Sequence, residues 1–161
     1  MKAIRFNVEE AFRIAEQIER NGAAFYRHAA DLHKKSGFRK RLLELAVMED
    51  RHLVIFAAMR QKLPESLKAE PADDPYLEAT LYLNAIADAH GGEGSTVFTV
   101  NLTGRETLEK LLLIALELEQ KSILFYVGLK DRIPVKLGWD KIDVIITEEQ
   151  RHVATLAGEL K

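Results

Sequence analysis

The sequence predicts an all-α protein: an antiparallel four-helix bundle of two helical hairpins, joined by a long crossover that contains a short helix. Three observations predict it. Four long stretches carry apolar residues at alternating steps of three and four, the spacing of a helix stripe turned towards a bundle core. Two of these stretches lie on either side of residues 64–101, where Pro64, Pro71, Pro75 and the run Gly91-Gly92-Glu93-Gly94-Ser95 interrupt any long helix. The two halves also repeat, because the phrases around Glu19 and Glu49 recur around Glu119 and Glu149, 100 positions later in each case.

Each element has its own local cause. Asn7 followed by Glu10 is a capping-box pattern that starts the first helix, which should run to about residue 35 and stop at Ser36-Gly37. Its stripe is Phe12, Ala15, Glu19, Gly22, Tyr26 and Ala29. The second helix is expected over residues 38–62, with Leu42, Leu45, Glu49, His52, Phe56, Met59 and Leu63 on the inner face and Arg39, Lys40, Asp50 and Arg60 outside. The short Ser36-Gly37 connection makes these two helices antiparallel neighbours. In the crossover, residues 75–90 read as a short helix with Pro75 in its first turn, and residues 97–100 as a strand-like stretch. Thr103 and Glu106 repeat the capping-box spacing, so the third helix is expected from about residue 103 to 132. Its stripe is Leu108, Leu112, Ala115, Glu119, Ser122, Tyr126 and Leu129. The fourth helix should begin near Trp139-Asp140 and run almost to the end, with Ile142, Ile145, Glu149, His152 and Leu156 inward.

Bulk properties narrow the function classes. A length of 161 residues suits one domain, spanning 1–161, with a sizeable core. A net charge of −2 gives no reason to expect nucleic acid or an anionic membrane as partner. No stretch approaches the roughly 18 apolar residues of a membrane span, and the first residues lack the apolar core of a signal peptide, so a cytoplasmic location is expected. There are no cysteines, so any metal must be held by oxygen and nitrogen ligands.

The inner stripes contain residues that do not belong in an apolar core. Glu49 with His52, and Glu149 with His152, are two Glu-x-x-His pairs, each placed on one helix face by the three-residue step. Glu19 and Glu119 sit in the stripes of the first and third helices. Most single Glu-x-x-His pairs are solvated surface residues; these lie between apolar neighbours one turn on either side. A buried unpaired carboxylate costs several kcal/mol, and four at one depth also repel each other. Either their pKa values rise until they are neutral, or cations neutralise them, and no Lys or Arg occupies the stripes nearby. A pair of metal ions is the remaining solution, and four glutamates with two histidines form the ligand set of a dinuclear site in a helix bundle. The expected assignment puts Glu19 and His52 on one ion, Glu119 and His152 on the other, with Glu49 and Glu149 bridging. Such ligands with open positions suit iron or manganese, and ligand type also admits zinc.

These residues resemble the rubrerythrin-like branch of the ferritin-like superfamily of di-iron carboxylate proteins. The resemblance covers both hairpins and rests on Ile18-Glu19 followed by Gly22 and Phe25-Tyr26, on Glu119 followed by Phe125-Tyr126, and on the two Glu-x-x-His pairs in order. It implies a ferritin-like bundle, a centre of two iron ions, reaction with hydrogen peroxide or oxygen, and a homodimer. There are two departures. Rubrerythrins carry an additional cysteine-ligated iron domain, which this sequence cannot form, so the resemblance implies an external electron-donor protein. They also carry an extra glutamate one turn beyond the third-helix ligand, where this chain has Ser122, so the six-ligand set is closer to that of ferroxidase-type bacterioferritin centres.

Other residues have two readings each. Tyr26 and Tyr126, two turns from Glu19 and Glu119, either hydrogen-bond a ligand and quench oxidising equivalents or pack in the core. Asp50 and Glu148, each next to a proposed bridging glutamate, either accept a hydrogen bond from a ligand histidine or belong to a solvated face. His28, His33 and His90 read as surface residues, and Trp139 as an anchor for the fourth helix. Three functions follow in order: a di-iron oxidoreductase, a ferroxidase or iron-storage protein, and a bundle stabilised by a structural zinc site.

Overall fold

The structure, a computed structural model, describes residues 7–68 and 102–161 apart from positions 132 and 134. Among the described residues there are four α-helices and no strand: α1 (Val8–Leu32), α2 (Arg39–Gln61), α3 (Leu108–Lys130) and α4 (Ile142–Glu159). Single turns of 3-10 helix occupy Glu65–Leu67, Val135–Leu137 and Trp139–Lys141. The expected crossover helix at 75–90, the strand-like stretch at 97–100 and His90 lie outside the described residues.

The start of α1 follows the capping-box reading. Asn7 Oδ1 accepts from the Glu10 amide at 2.9 Å, and Glu10 Oε2 accepts from the Asn7 amide at 2.8 Å. The helix ends at Leu32, about three residues sooner than expected, because the chain turns at His33. The Ser36 amide and hydroxyl both donate to the His33 carbonyl there, at 3.0 and 2.9 Å.

The start of α3 departs from its expectation. Glu106 does reach back to Thr103, accepting from its amide and its hydroxyl at 2.8 Å and from the Gly104 amide at 3.0 Å. No helix begins there, because Gly104 has φ +77°, a left-handed conformation that a helix cannot contain. The helix starts after Thr107, whose hydroxyl accepts from the Lys110 amide at 3.2 Å. His33, expected at the surface, is buried and places Nε2 3.3 Å from Glu106. It fastens the end of α1 to the approach to α3.

α1 packs along α2 and α3 along α4. Two apolar clusters tie the hairpins together. One gathers Val8, Phe12 and Phe56 with Tyr126, Leu129 and Ile142; the other gathers Phe25, Tyr26 and Leu42 with Leu111, Leu112 and Leu156. Each cluster mixes residues of both halves, and each fully buried large side chain contributes about 1.5–3 kcal/mol. The sequence repeat is a repeat of burial as well. The buried residues of α3 are 111, 112, 115, 118, 119, 122, 126 and 129, and those 100 earlier in α1 are all buried. The buried residues of α4, namely 142, 145, 149, 152 and 156, map onto buried residues of α2 except for His52, which is partly exposed.

The α3–α4 connection closes over the start of α1. Lys130 Nζ lies 4.0 Å above the Trp139 ring and 2.5 Å from Asp143. Gly138 has φ +91°, and a Cβ there would meet Val8 Cγ1 at 2.5 Å. Gly138→Ala is therefore expected to lose about 1–3 kcal/mol of stability in urea unfolding, from strain and overpacking together. Adding Val8→Ala should make the double variant less destabilised than the sum of the singles. Strict additivity would show that Val8 is not the obstacle.

Candidate metal centre

The helical stripes deliver six ionisable side chains to one level between the two apolar clusters. Glu19 comes from α1, Glu49 and His52 from α2, Glu119 from α3, and Glu149 and His152 from α4. All four glutamates and His152 are at most 1% exposed. His152 Nδ1 lies 2.8 Å from Glu119 Oε1 and 3.5 Å from Glu149 Oε2. His52 Nδ1 lies 3.7 Å from Glu19 Oε2. The two imidazoles stack, with centroids 3.9 Å apart and planes at 24°. Ligand atoms of Glu19, Glu49, His52 and His152 fall within 4.8 Å of one another, as do those of Glu119, Glu149 and His152. His152 belongs to both groups, so the six expected residues form one continuous cluster.

The electrostatics fit a cation site. Among the described residues no hydrogen-bond donor satisfies either oxygen of Glu49 or of Glu149, although both side chains are fully buried. Such groups carry a desolvation cost unless something absent from the polypeptide neutralises them. Burial pushes Glu149 up to about 7, and the charge of Glu49 adds to that. Burial also opposes ionisation of Glu49, but the neighbouring His52 and Glu19 and the charge of His152 hold it below the ordinary carboxylate value. His152 falls to about 4, chiefly through burial, with the charge of His52 in the same direction. A neutral imidazole is the form that coordinates metal, and stacked rings cannot both be charged cheaply. Four carboxylates and two imidazoles offer only oxygen and nitrogen donors, a set suited to iron, manganese or zinc.

The surroundings are not symmetric. The His52 side chain is 16% exposed and that of His152 only 1%, so solvent reaches the cluster along α2. Tyr26 and Tyr126 are completely buried, each meeting its preceding phenylalanine edge-on at 5.3 Å. The Tyr126 hydroxyl has no hydrogen-bond partner among the described residues. Burial, with the charges of Glu149, Glu19 and Glu119, drives its pKa well above the usual phenol value. Tyr126 therefore remains a protonated donor beside the carboxylates. Asp50 and Glu148 do not take the role of acceptors for the histidines. Asp50 pairs with Arg27 across the α1–α2 surface, and Glu148 with Arg151 on its own helix. Both sit on the half-wet flank of the stripe, where arginines reach them first. Gly22 and Ser122 are buried at equivalent positions one turn beyond Glu19 and Glu119.

Comparison with known proteins agrees with the helical architecture. A crystal structure from Thermotoga maritima, assigned as a ferritin-like diiron-carboxylate protein, is similar over 98% of this chain and 97% of its own, with a TM-score of 0.56 and 22% identity. The fold is thus a ferritin-like four-helix bundle carrying a candidate carboxylate and histidine metal site. No protein-family model matches the chain, and no curated protein does. No described helix is long and apolar enough to cross a membrane.

One buried network went unseen in the sequence. Glu16 is 4% exposed yet takes Arg60 Nε at 2.5 Å, with Arg20 at 3.4 Å. Arg60 sat on the face expected to be wet, and only the packing of α2 against α1 shows that it covers Glu16.

The titrations give a signed prediction for metal-free protein. Glu149, raised from 4.5 to about 7, makes stability fall as pH rises through that window, because the folded state keeps a proton that the unfolded state has lost. His152, lowered from 6.5 to about 4, makes stability rise with pH between those values. The two slopes oppose between about pH 4.5 and 6.5. In Glu149→Gln only the His152 slope remains. Under chelator, the variant is expected to gain on the parent by about 3 kcal/mol between pH 4.5 and 7 in chemical unfolding. A stability difference independent of pH would show that Glu149 does not hold that proton.

Proposed function

We propose that the chain is a di-iron oxidoreductase of the rubrerythrin-like kind, reacting with hydrogen peroxide or oxygen and re-reduced by an external electron-donor protein. The observation that carries this reading is the single buried cluster of four glutamates and two histidines. Glu19 and His52 would hold one ion and Glu119 and His152 the other, with Glu49 and Glu149 shared between them. A bound iron pair supplies the capacity to pass two electrons to peroxide or oxygen. The polypeptide contributes the rest. The six side chains fix the ions at one depth of the bundle, and the apolar clusters on either side exclude bulk water. The Tyr126 hydroxyl, kept protonated by its burial, would offer a hydrogen-bond donor to the cluster. With no cysteine in the sequence, a thiolate-ligated relay cannot come from this chain, which supports an external donor. A homodimer is the state that the resemblance to this branch suggests.

A second reading has its own support. Ser122 stands where rubrerythrins have a further carboxylate, and a six-ligand set suits a ferroxidase or an iron-binding or storage protein. Manganese or zinc in the same ligands would give a redox-different or purely structural centre.

Anaerobic Fe(II) titration followed by separate mixing with hydrogen peroxide and oxygen tests the order of these readings. Two Fe(II) per chain and rapid growth of near-ultraviolet absorbance with peroxide are expected, with turnover when a reductant is present. Glu49→Ala and His52→Ala should each lose tight binding of at least one ion and at least 100-fold of the oxidation rate. Iron uptake far above two per chain, with a large particle by light scattering, would favour storage. Iron-loaded protein inert to both oxidants would sink the oxidoreductase reading, and stoichiometric zinc as isolated would replace it with the structural one.

A further inference from the structure

Nearly every buried position of the second hairpin is buried again 100 residues earlier in the first, and at one of these positions beside the cluster the chemistry differs. One turn beyond Glu19 stands Gly22; one turn beyond Glu119 stands Ser122. Ser122 is 1% exposed, and its hydroxyl has no hydrogen-bond partner among the described residues. A serine inside a helix ordinarily returns its hydroxyl to the carbonyl four residues back, here that of Leu118. That bond is not made. A buried hydroxyl without a partner is costly in an otherwise well-packed core, and a glycine or alanine would remove the cost. The three-residue step places it on the same helix face as Glu119, with Cβ atoms about 5–6 Å apart. Other side chains around the cluster have different roles. Glu119 is already engaged with His152, and Tyr126 is matched by Tyr26 in the other half, so it does not distinguish the two halves.

We propose that Ser122 is a positioning residue for the small anionic ligand that completes the metal pair, donating its hydroxyl proton to that ligand. The ligand class is a compact anion with a lone-pair acceptor, of the size of hydroxide, hydroperoxide or azide. The inference rests on the di-metal reading above and goes beyond it by making the exogenous position one-sided. The Gly22 half offers no donor at the matching place, so the anion is drawn to the Glu119–His152 half. A hydrogen bond from a neutral donor to a charged acceptor is strong enough to select between two otherwise matched halves.

The test uses full-length protein loaded with two ferric ions per chain and titrated with azide, followed by the azide-to-metal absorbance band. Ser122→Ala should bind iron at the parent stoichiometry but bind azide about ten-fold more weakly, with a shifted band. Ser122→Thr, which keeps the hydroxyl, should restore affinity to within about three-fold of the parent. Metal-free Ser122→Ala should melt no lower than the parent, since it loses only an unsatisfied group. Normal iron loading with unchanged azide affinity in Ser122→Ala would overturn the proposal. So would a lower melting temperature of the metal-free variant with unchanged azide affinity, which is the signature of a hydroxyl that serves the helix. Failure of the parent chain to bind two ions would instead remove the di-metal reading itself, and the iron titration reports that separately.

Discussion

The constraint on which the rest depends is the burial of four carboxylates at one level of a helix bundle. An apolar core of this size tolerates a lone ionised carboxylate poorly and several together worse. The fold nonetheless commits four of its inner positions to glutamate and two to histidine, and among the described residues both oxygens of Glu49 and Glu149 are without donors. In the bare polypeptide the strain is relieved by protons: Glu149 keeps one up to about pH 7, and His152 gives its own up down to about pH 4. A glutamic acid beside a neutral imidazole is a compromise: the imidazole is already in the form that binds a cation, whereas the acid must first release its proton. Two other shielded carboxylates escape such a compromise. Glu16 is as buried as a core residue but has Arg60 against it, and Glu106 is held down at about 2 by the Thr103 and Gly104 groups that overcome its burial. The contrast separates carboxylates that serve the fold from those that the fold has to carry.

The internal repeat explains how one short pattern produces a closed cluster. A Glu-x-x-His on one hairpin supplies half of a ligand set, and a twofold copy opposite supplies the other half at the same depth. Where the copies agree, the residues fill space: Phe12 with Leu112, Leu42 with Ile142, Phe56 with Leu156. Where they disagree near the centre, the two halves acquire different jobs. His52 is open to solvent and His152 is sealed; Gly22 leaves space and Ser122 brings a hydroxyl. Entry from the α2 side follows from the unequal exposure of two matched histidines, and a donor on the α3 side from the exchange of glycine for serine.

Much of this was legible in the sequence because helix periodicity is a local signal. Stripes of three and four placed all four helices, and the presence of Glu19, Glu49, Glu119 and Glu149 within those stripes implied their convergence before any coordinates. What was not legible depended on backbone conformation or on partners far along the chain. The Thr103–Glu106 spacing satisfies a capping box on paper, yet the left-handed Gly104 postpones the helix to Leu108. His33 was assigned to the surface because a lone histidine near a helix end usually is exposed, whereas here Glu106 lies opposite it. Asp50 and Glu148 had the right sequence neighbours to serve the histidines, but residues next to a stripe in sequence lie about 100° around the helix from it. Arg27 and Arg151 occupy that direction.

The same geometry makes metal occupancy a matter of folding as much as of chemistry. The candidate ligands are drawn from all four helices, so an ion held by them would join both hairpins at once. Anything that binds the folded state and not the unfolded one adds stability as RT ln(1 + [L]/Kd), which is about 4 kcal/mol at a thousand-fold excess over Kd. Removal of cations would return the carboxylates to their protonated compromise and leave the two apolar clusters to hold the halves together. Those clusters lie on either side of the site and are built from both hairpins, so they would hold the candidate ligands near one another without a cation. A preformed cluster of this kind spends little binding energy on ordering its ligands. On the proposed reading, that is what lets six side chains remain in place while the charge between them changes with each redox cycle.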